Sequence, residues 1–180
     1  DEGFKRKLTA ILSADAVGYS RLMAEDEAAT VKTMASYREI MSSLIKQHRG
    51  RVVDSPGDNV LAEFFSVVDA VQCAVAVRKE IKSRNDKLPE NRKMQFRIGV
   101  NLGDVVEEKK RIYGDGVNIA ARLESICEGG GVCISGTVPK SVFFSAPPLN
   151  TKAPVSGGGL VMKSTCRLPS APSLFHNCSW

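Results

Sequence analysis

The chain has 180 residues, 43% apolar and 25% charged, which is the size and balance of one soluble globular domain with a substantial core. No stretch approaches the length of a bilayer span and the first dozen residues lack a signal-peptide core, so a cytoplasmic domain with no membrane segment is expected. The net charge of +5 is concentrated after Glu128, where Lys140, Lys152, Lys163 and Arg167 stand with no acid; this scattered tail charge is not a basic face, and nucleic acid is not expected as a partner.

Residues 8–14 are mostly apolar and β-compatible, a central strand ending at Asp15, after which Gly18 permits a turn. From about Asp26 to His48, Val31, Met34, Ala35, Met41, Leu44 and Ile45 recur at helical spacing, and Gly50 follows where the run stops. Residues 51–54 and 60–64 are short strand candidates around Ser55-Pro-Gly-Asp-Asn59, a turn-forming sequence that places Asp58 at a hairpin tip. Ser66-Val-Val-Asp69 is a capping-box-like start for a helix to about Asn85, with Val67, Val71, Ala74, Val75 and Ile81 on its apolar face.

Residues 95–101 alternate, with Phe96, Ile98 and Val100 inward and Arg97, Gly99 and Asn101 outward; a second extended piece spans 104–107. A helix near 115–128 follows, expected to be buried through Ile119, Leu123 and Ile126, and then a short strand at 132–135. The five cysteines have no C-x-x-C spacing, and Cys73, Cys127 and Cys133 read as buried thiols; with only His48 and His176, a histidine-rich metal site is excluded.

This order predicts an α+β fold with a ferredoxin-like, or palm, βαββαβ core plus an additional helix and strand. In that arrangement the second strand runs parallel to the first, with the third antiparallel between them. The start of the third strand then lies beside the end of the first, which brings Asp58 next to Asp15. A carboxylate pair of this kind suits two divalent metal ions. Singly, each acid reads as a helix cap or a turn residue; together, on this topology, they point to a metal site. Asn118 and Arg122, four residues apart, share a helix face and suit either a ribose and a phosphate or a solvated surface.

Four ordered segments carry a family resemblance: Ala14-Asp-Ala-Val-Gly-Tyr-Ser20, Ser55-Pro-Gly-Asp58, Phe96-Arg-Ile-Gly-Val-Asn-Leu-Gly-Asp104 and Tyr113-Gly-Asp-Gly-Val-Asn-Ile-Ala-Ala-Arg-Leu-Glu124. From about Arg6 to Thr137 the sequence resembles the catalytic domain of class III nucleotidyl cyclases, the adenylate/guanylate cyclase family. The resemblance implies conversion of ATP, favoured over GTP, to 3′,5′-cyclic AMP and pyrophosphate. It implies that Asp15 and Asp58 hold two Mg²⁺ or Mn²⁺ ions, with the backbone of Ala16, Val17, Gly18 and Tyr19 near the phosphates. It also implies a head-to-tail homodimer, with Asn118 and Arg122 entering from the opposite subunit to position the ribose and stabilise the transition state.

Two departures qualify the match. Where adenylate cyclases of the family commonly carry a base-reading Lys four residues before the second metal Asp, this chain has Asp54, and the partner position holds Arg111. The exchanged pair reads equally as a substitute purine clamp or as a salt bridge. From residue 139 the chain is Pro-, Gly- and Ser-rich, with six of the eight prolines and the only tryptophan, in place of the family's further helix and β-hairpin arm. Residues 1–138 are therefore read as the catalytic domain and 139–180 as an irregular, atypical tail, expected to be an altered reading frame or an artificial junction. Guanylate cyclase and a catalytically impaired nucleotide-binding or dimerisation module of the same fold are the alternatives.

Overall fold

The computed structural model of the chain describes residues 5–139, 141–142, 151–155 and 159–162. The strand expected to end at Asp15 is β1 (Lys5–Ala16), in which alternate residues face opposite sides of a sheet. Ala10, Leu12, Ala14 and Ala16 enter the main core, while Ile11 joins a second apolar cluster with Val105, Ile112 and Ala120. The β1 strand therefore has two buried faces. Ser13 and Asp15 share the parity of Ile11, so they belong to its side of the sheet.

A short helix α1 (Tyr19–Glu25) starts at Gly18, whose φ of 69° is the left-handed value that glycine tolerates. It is followed by α2 (Glu27–Gln47), capped by the Asp26 side chain accepting from the Ala29 amide. The buried stripe of α2 is Thr30, Met34, Tyr37, Met41 and Ile45; Val31, expected inside, is 49% exposed. The predicted hairpin forms from β2 (Gly50–Asp54) and β3 (Asn59–Phe64), closed by Asn59 N–H donating to the Pro56 carbonyl at 3.0 Å. Helix α3 (Val67–Asn85) then buries Val71, Cys73, Ala74, Val77 and Ile81 against the face already occupied by α2.

The two extended pieces expected at 95–101 and 104–107 are one strand, β4 (Phe96–Glu108), which pairs with β1 from Phe96 to Glu107. A three-residue strand β5 (Arg111–Tyr113) folds back on it, and α4 (Asp115–Ser125) returns across the second face of the sheet. Strand β6 (Val132–Ser135) then lies parallel to β4. The sheet order β2–β3–β1–β4–β6, with β3 antiparallel to both β1 and β2, is the palm order expected from the sequence.

Helix α4 corrects two expectations. Its buried residues are Gly116, Ala120, Leu123 and Glu124, whereas Ile119 is 38% and Ile126 58% exposed. Two of the three residues of β4 expected outward, Gly99 and Asn101, are covered, and Arg97 is partly buried; Asn101 is fully buried and donates to the Gly116 carbonyl at 2.9 Å. A Cβ at Gly99 would collide with the Ala120 carbonyl and lie 2.6 Å from the Glu124 amide nitrogen. The small residues at 99, 116 and 120 therefore let α4 lie close on the sheet, and its larger side chains at 119 and 126 turn outward.

The irregular tail expected after residue 138 contains two strands, β7 (Thr151–Val155) and β8 (Gly159–Met162), with β8 added antiparallel to β6. Lys140, Lys163 and Trp180 lie outside the described residues. Cys73, Cys127 and Cys133 are buried and free, and burial pushes the Cys73 thiol up to about 12. Among the described residues no helix is long and apolar enough to cross a membrane.

Candidate active site

The register of β1 and β3 sets Asp15 opposite Asn59, the residue after Asp58. Asp58 sits in the tight turn before β3, on the Pro56-Gly57 corner, where Gly57 has a φ of 55°. The two acids are electrostatic neighbours. The Asp58 carboxyl is raised above its ordinary 3.8, first by burial and then by the Asp15 charge beside it.

Four residues that carried no assigned role in the sequence complete this corner. Arg97 of β4 lies opposite Asp15 in register, and its NH2 donates to Asp15 Oδ2 at 2.6 Å. Glu124 of α4 is buried, 6% exposed, with Oε2 accepting from Ser13 Oγ at 2.9 Å and from Asn59 Nδ2 at 3.3 Å. Its other oxygen, Oε1, stands 3.9 Å from Arg97 NH2. Burial raises the Glu124 carboxyl above 4.5, the Asp15 and Asp58 charges add to the rise, and Ser13 and Arg97 oppose it. Strand parity made Ser13 a neighbour of Asp15, but nothing local in the sequence announced Glu124.

The remaining predicted residues are placed as follows. Ala16 ends β1, Val17 N–H donates to the Gln95 carbonyl at 2.8 Å, and Gly18 and Tyr19 lead directly from Asp15 into α1. Asn118 and Arg122 are exposed on α4, side by side with Ile119 and Ile126, and neither bonds to the acid pair. Asp54 and Arg111 do meet, across β2 and β5, with NH2 4.0 Å from Oδ2 and both side chains well exposed. The chain thus gathers the acids at one place and leaves Asn118 and Arg122 exposed on α4.

The adenylate and guanylate cyclase catalytic domain model matches residues 5–149, which extends beyond Thr137, where the resemblance was expected to stop. The chain belongs to this family. Over 142 residues it is 48% identical to putative adenylate cyclase 3 of Rhizobium meliloti (strain 1021), covering 78% of this chain and 24% of that protein. It is 28% identical over 137 residues to an adenylate cyclase of Streptomyces coelicolor, covering 74% of this chain and 34% of that protein. The cyclase domain therefore spans about a quarter to a third of the length of these two relatives.

The crystal structure of an adenylate/guanylate cyclase/hydrolase from Silicibacter pomeroyi superposes with a TM-score of 0.74 at 34% identity, over 89% of this chain and 97% of that one. The adenylyl cyclase CyaB from P. aeruginosa shares the fold at a TM-score of 0.73 and 24% identity, over 92% of this chain and 98% of that one.

The donor set fits the metal dependence of a cyclase domain. Asp15 and Asp58 offer hard carboxylate oxygens, the type Mg²⁺ and Mn²⁺ prefer, and the mutual repulsion that raises Asp58 is the charge a cation would relieve. Among the described residues no group of three or more His, Cys, Asp or Glu side chains is arranged as a closed metal cage. Magnesium commonly binds through one or two carboxylates and completes its shell with phosphate and water oxygens, so an open pair is appropriate.

Proposed function

We propose that this cyclase domain converts ATP to 3′,5′-cyclic AMP and pyrophosphate, at sites formed between two copies of the chain. In the reaction the ribose 3′-oxygen forms a bond to the α-phosphorus, and the bond to the bridging α–β oxygen breaks. The 3′-hydroxyl proton is released, and pyrophosphate departs with the electron pair. Asp15 and Asp58 would hold two Mg²⁺ or Mn²⁺ ions, whose Lewis acidity makes the 3′-hydroxyl easier to deprotonate and offsets charge at the α-phosphate.

The protein's own contributions follow from where its groups stand. The backbone of Ala16, Val17, Gly18 and Tyr19 runs away from Asp15 and lies beside the triphosphate. Asn118 of the second copy orients the ribose, and Arg122 of that copy neutralises charge on the pentavalent α-phosphate. The exposure of Asn118 and Arg122 beside two isoleucines supports a subunit contact: such a ridge would bury apolar surface while delivering two polar groups to a neighbour. A symmetric dimer then has two equivalent sites, each combining the acids of one copy with the α4 ridge of the other.

The observation carrying this reading is the register that sets Asp15 opposite Asn59 and so joins two motif aspartates at one end of the sheet. ATP is favoured over GTP because the Rhizobium relative at 48% identity is a putative adenylate cyclase. The departure at Asp54 and Arg111 favours the alternatives, a guanylate cyclase or a nucleotide-binding module that has lost turnover.

The deciding experiment is Mn²⁺-supported turnover of ATP and GTP by the wild type and Asp58→Ala. Cyclic AMP from the wild type alone is expected. Cyclic GMP as the main product would select the guanylate cyclase, and no cyclic nucleotide at high protein concentration would leave the binding module.

A further inference from the structure

Arg97 stands where a metal ion would have to work. It lies directly across the β1–β4 ladder from Asp15, and its NH2 is 2.6 Å from Asp15 Oδ2. The same NH2 is 3.9 Å from Glu124 Oε1, and NH1 donates to the Ser125 carbonyl at 3.3 Å. The guanidinium therefore sits between a carboxylate on the sheet and a carboxylate on α4, hydrogen-bonded to the first and in a looser ion pair with the second, beyond hydrogen-bond distance. Its Nε is buried with no hydrogen-bond partner among the described residues, so the present position leaves that donor unused there.

Glu124 is built to receive it. Oε2 is held by Ser13 and Asn59, which fixes the carboxylate and leaves Oε1 turned towards Arg97. A divalent cation on Asp15 and a guanidinium on the same carboxylate compete for oxygen lone pairs and repel one another in a half-buried setting. The guanidinium has a second anion within reach, so it need not go out to solvent when it leaves the first.

We propose that Arg97 is the resident counter-ion of the acid pair and passes from Asp15 to Glu124 when a divalent cation binds, so that these two residues set the affinity of the site for metal. The inference rests on the metal-binding reading of Asp15 and Asp58. It makes Arg97 and Glu124 positioning residues: Arg97 holds Asp15 in a fixed orientation before metal arrives, and Glu124 keeps the displaced arginine at the site.

The test is Mn²⁺ binding to the 180-residue chain without nucleotide, read by water-proton relaxation, for the wild type, Arg97→Gln, Glu124→Gln, the double variant and Asp58→Ala. Arg97→Gln is expected to bind Mn²⁺ about three- to tenfold more tightly, because the competitor is gone. Glu124→Gln is expected to bind it more weakly, and this loss should largely vanish in the double variant, since a site without arginine needs no second acceptor.

Thermal melting without metal separates structural damage: a merely structural Glu124 would lower the melting point and leave Mn²⁺ affinity unchanged. Additive effects of the two substitutions would reduce both residues to bystander charges and overturn the transfer. Unchanged or weaker Mn²⁺ binding by Arg97→Gln would overturn it as well. If Arg97→Gln does not fold, Arg97→Lys alone and combined with Glu124→Gln replaces it, with the same coupling expected and additivity again the overturning result. Equal Mn²⁺ binding by the wild type and Asp58→Ala would overturn the metal reading, and this inference with it; the former failures leave that reading standing.

Discussion

Ser13 Oγ donates to Glu124 Oε2 at 2.9 Å, a buried bond that spans 111 residues of sequence. Ser13 is two residues before Asp15 on β1, and Glu124 is two residues after Arg122 on α4. The bond therefore fastens the strand that carries Asp15 to the helix that carries Asn118 and Arg122. In the proposed dimer these two halves of one protomer serve different sites, so the orientation of each site depends on the same internal contact.

The acidity of Glu124 gives the first prediction. Its carboxyl is raised, chiefly by burial, so the folded chain takes up a proton at a higher pH than the unfolded chain does. Linkage then makes its contribution to stability full below the unfolded carboxylate value, and that contribution is lost as pH rises through the folded value. Asp58 has the same sign. Without metal, Glu124→Gln should therefore flatten the fall in stability as pH rises above the ordinary carboxylate value of 4.5, leaving the Asp58 component. Urea denaturation across that range checks this, and a wild-type stability that rises with pH, with no change of slope in the variant, would refute the assignment.

The palm topology and the acid pair were legible because strand parity, the Ser-Pro-Gly-Asp turn and the β-α-β-β order each fix local geometry with few alternatives. The face of α4 was not legible. Apolar residues at 119, 123 and 126 suggested a stripe, yet the structure buries Gly116, Ala120, Leu123 and Glu124. Small residues near Gly99 determine how close the helix comes, and that is a tertiary property absent from a hydrophobic period. Glu124 was hidden for a related reason: a buried carboxylate is recognisable only through its partners, and Ser13, Asn59 and Arg97 come from three separate strands or strand ends.

Close packing at Gly99 gives the second prediction. A methyl there meets backbone atoms of α4 at Ala120 and Glu124, which cannot rotate away as a side chain would. Gly99→Ala should destabilise the fold by about 1–3 kcal/mol through overpacking. Turnover should fall further than the unfolded fraction explains, because lifting α4 also displaces Arg122 and the Glu124 contact. Gly103→Ala is the milder comparison, with Asn101 Nδ2 at 3.0 Å and Gly116 Cα at 3.2 Å. Equal behaviour of the two variants would show that the approach of α4 is not limiting.

The exchanged pair supplies a third. At 4.0 Å, with side chains 62% and 41% exposed, the Arg111–Asp54 contact is a surface ion pair worth about 0–1 kcal/mol. Arg111→Ala should therefore leave the melting temperature nearly unchanged. If the pair serves as a purine clamp, the same substitution changes the ratio of kcat/KM for ATP over GTP by about tenfold. An unaltered ratio would make the contact a salt bridge and nothing more.

The proposed division of each site between two copies gives the fourth prediction, and it requires no knowledge of the interface geometry. Asp58→Ala and Arg122→Ala should each be inactive alone, because every site in either homodimer lacks one component. Mixed dimers contain one site in which the intact acids of the Arg122→Ala copy meet the intact Arg122 of the Asp58→Ala copy, and one site with both defects. With random exchange of subunits half the dimers are mixed and half of their sites are whole, so an equimolar mixture should recover about a quarter of wild-type turnover. Recovery should follow the rate of subunit exchange and disappear on dilution below the dimer dissociation constant. A mixture as inactive as its components, under conditions where sedimentation shows exchanged dimers, would place Arg122 and the acid pair of one chain in the same site and remove the basis for the head-to-tail arrangement.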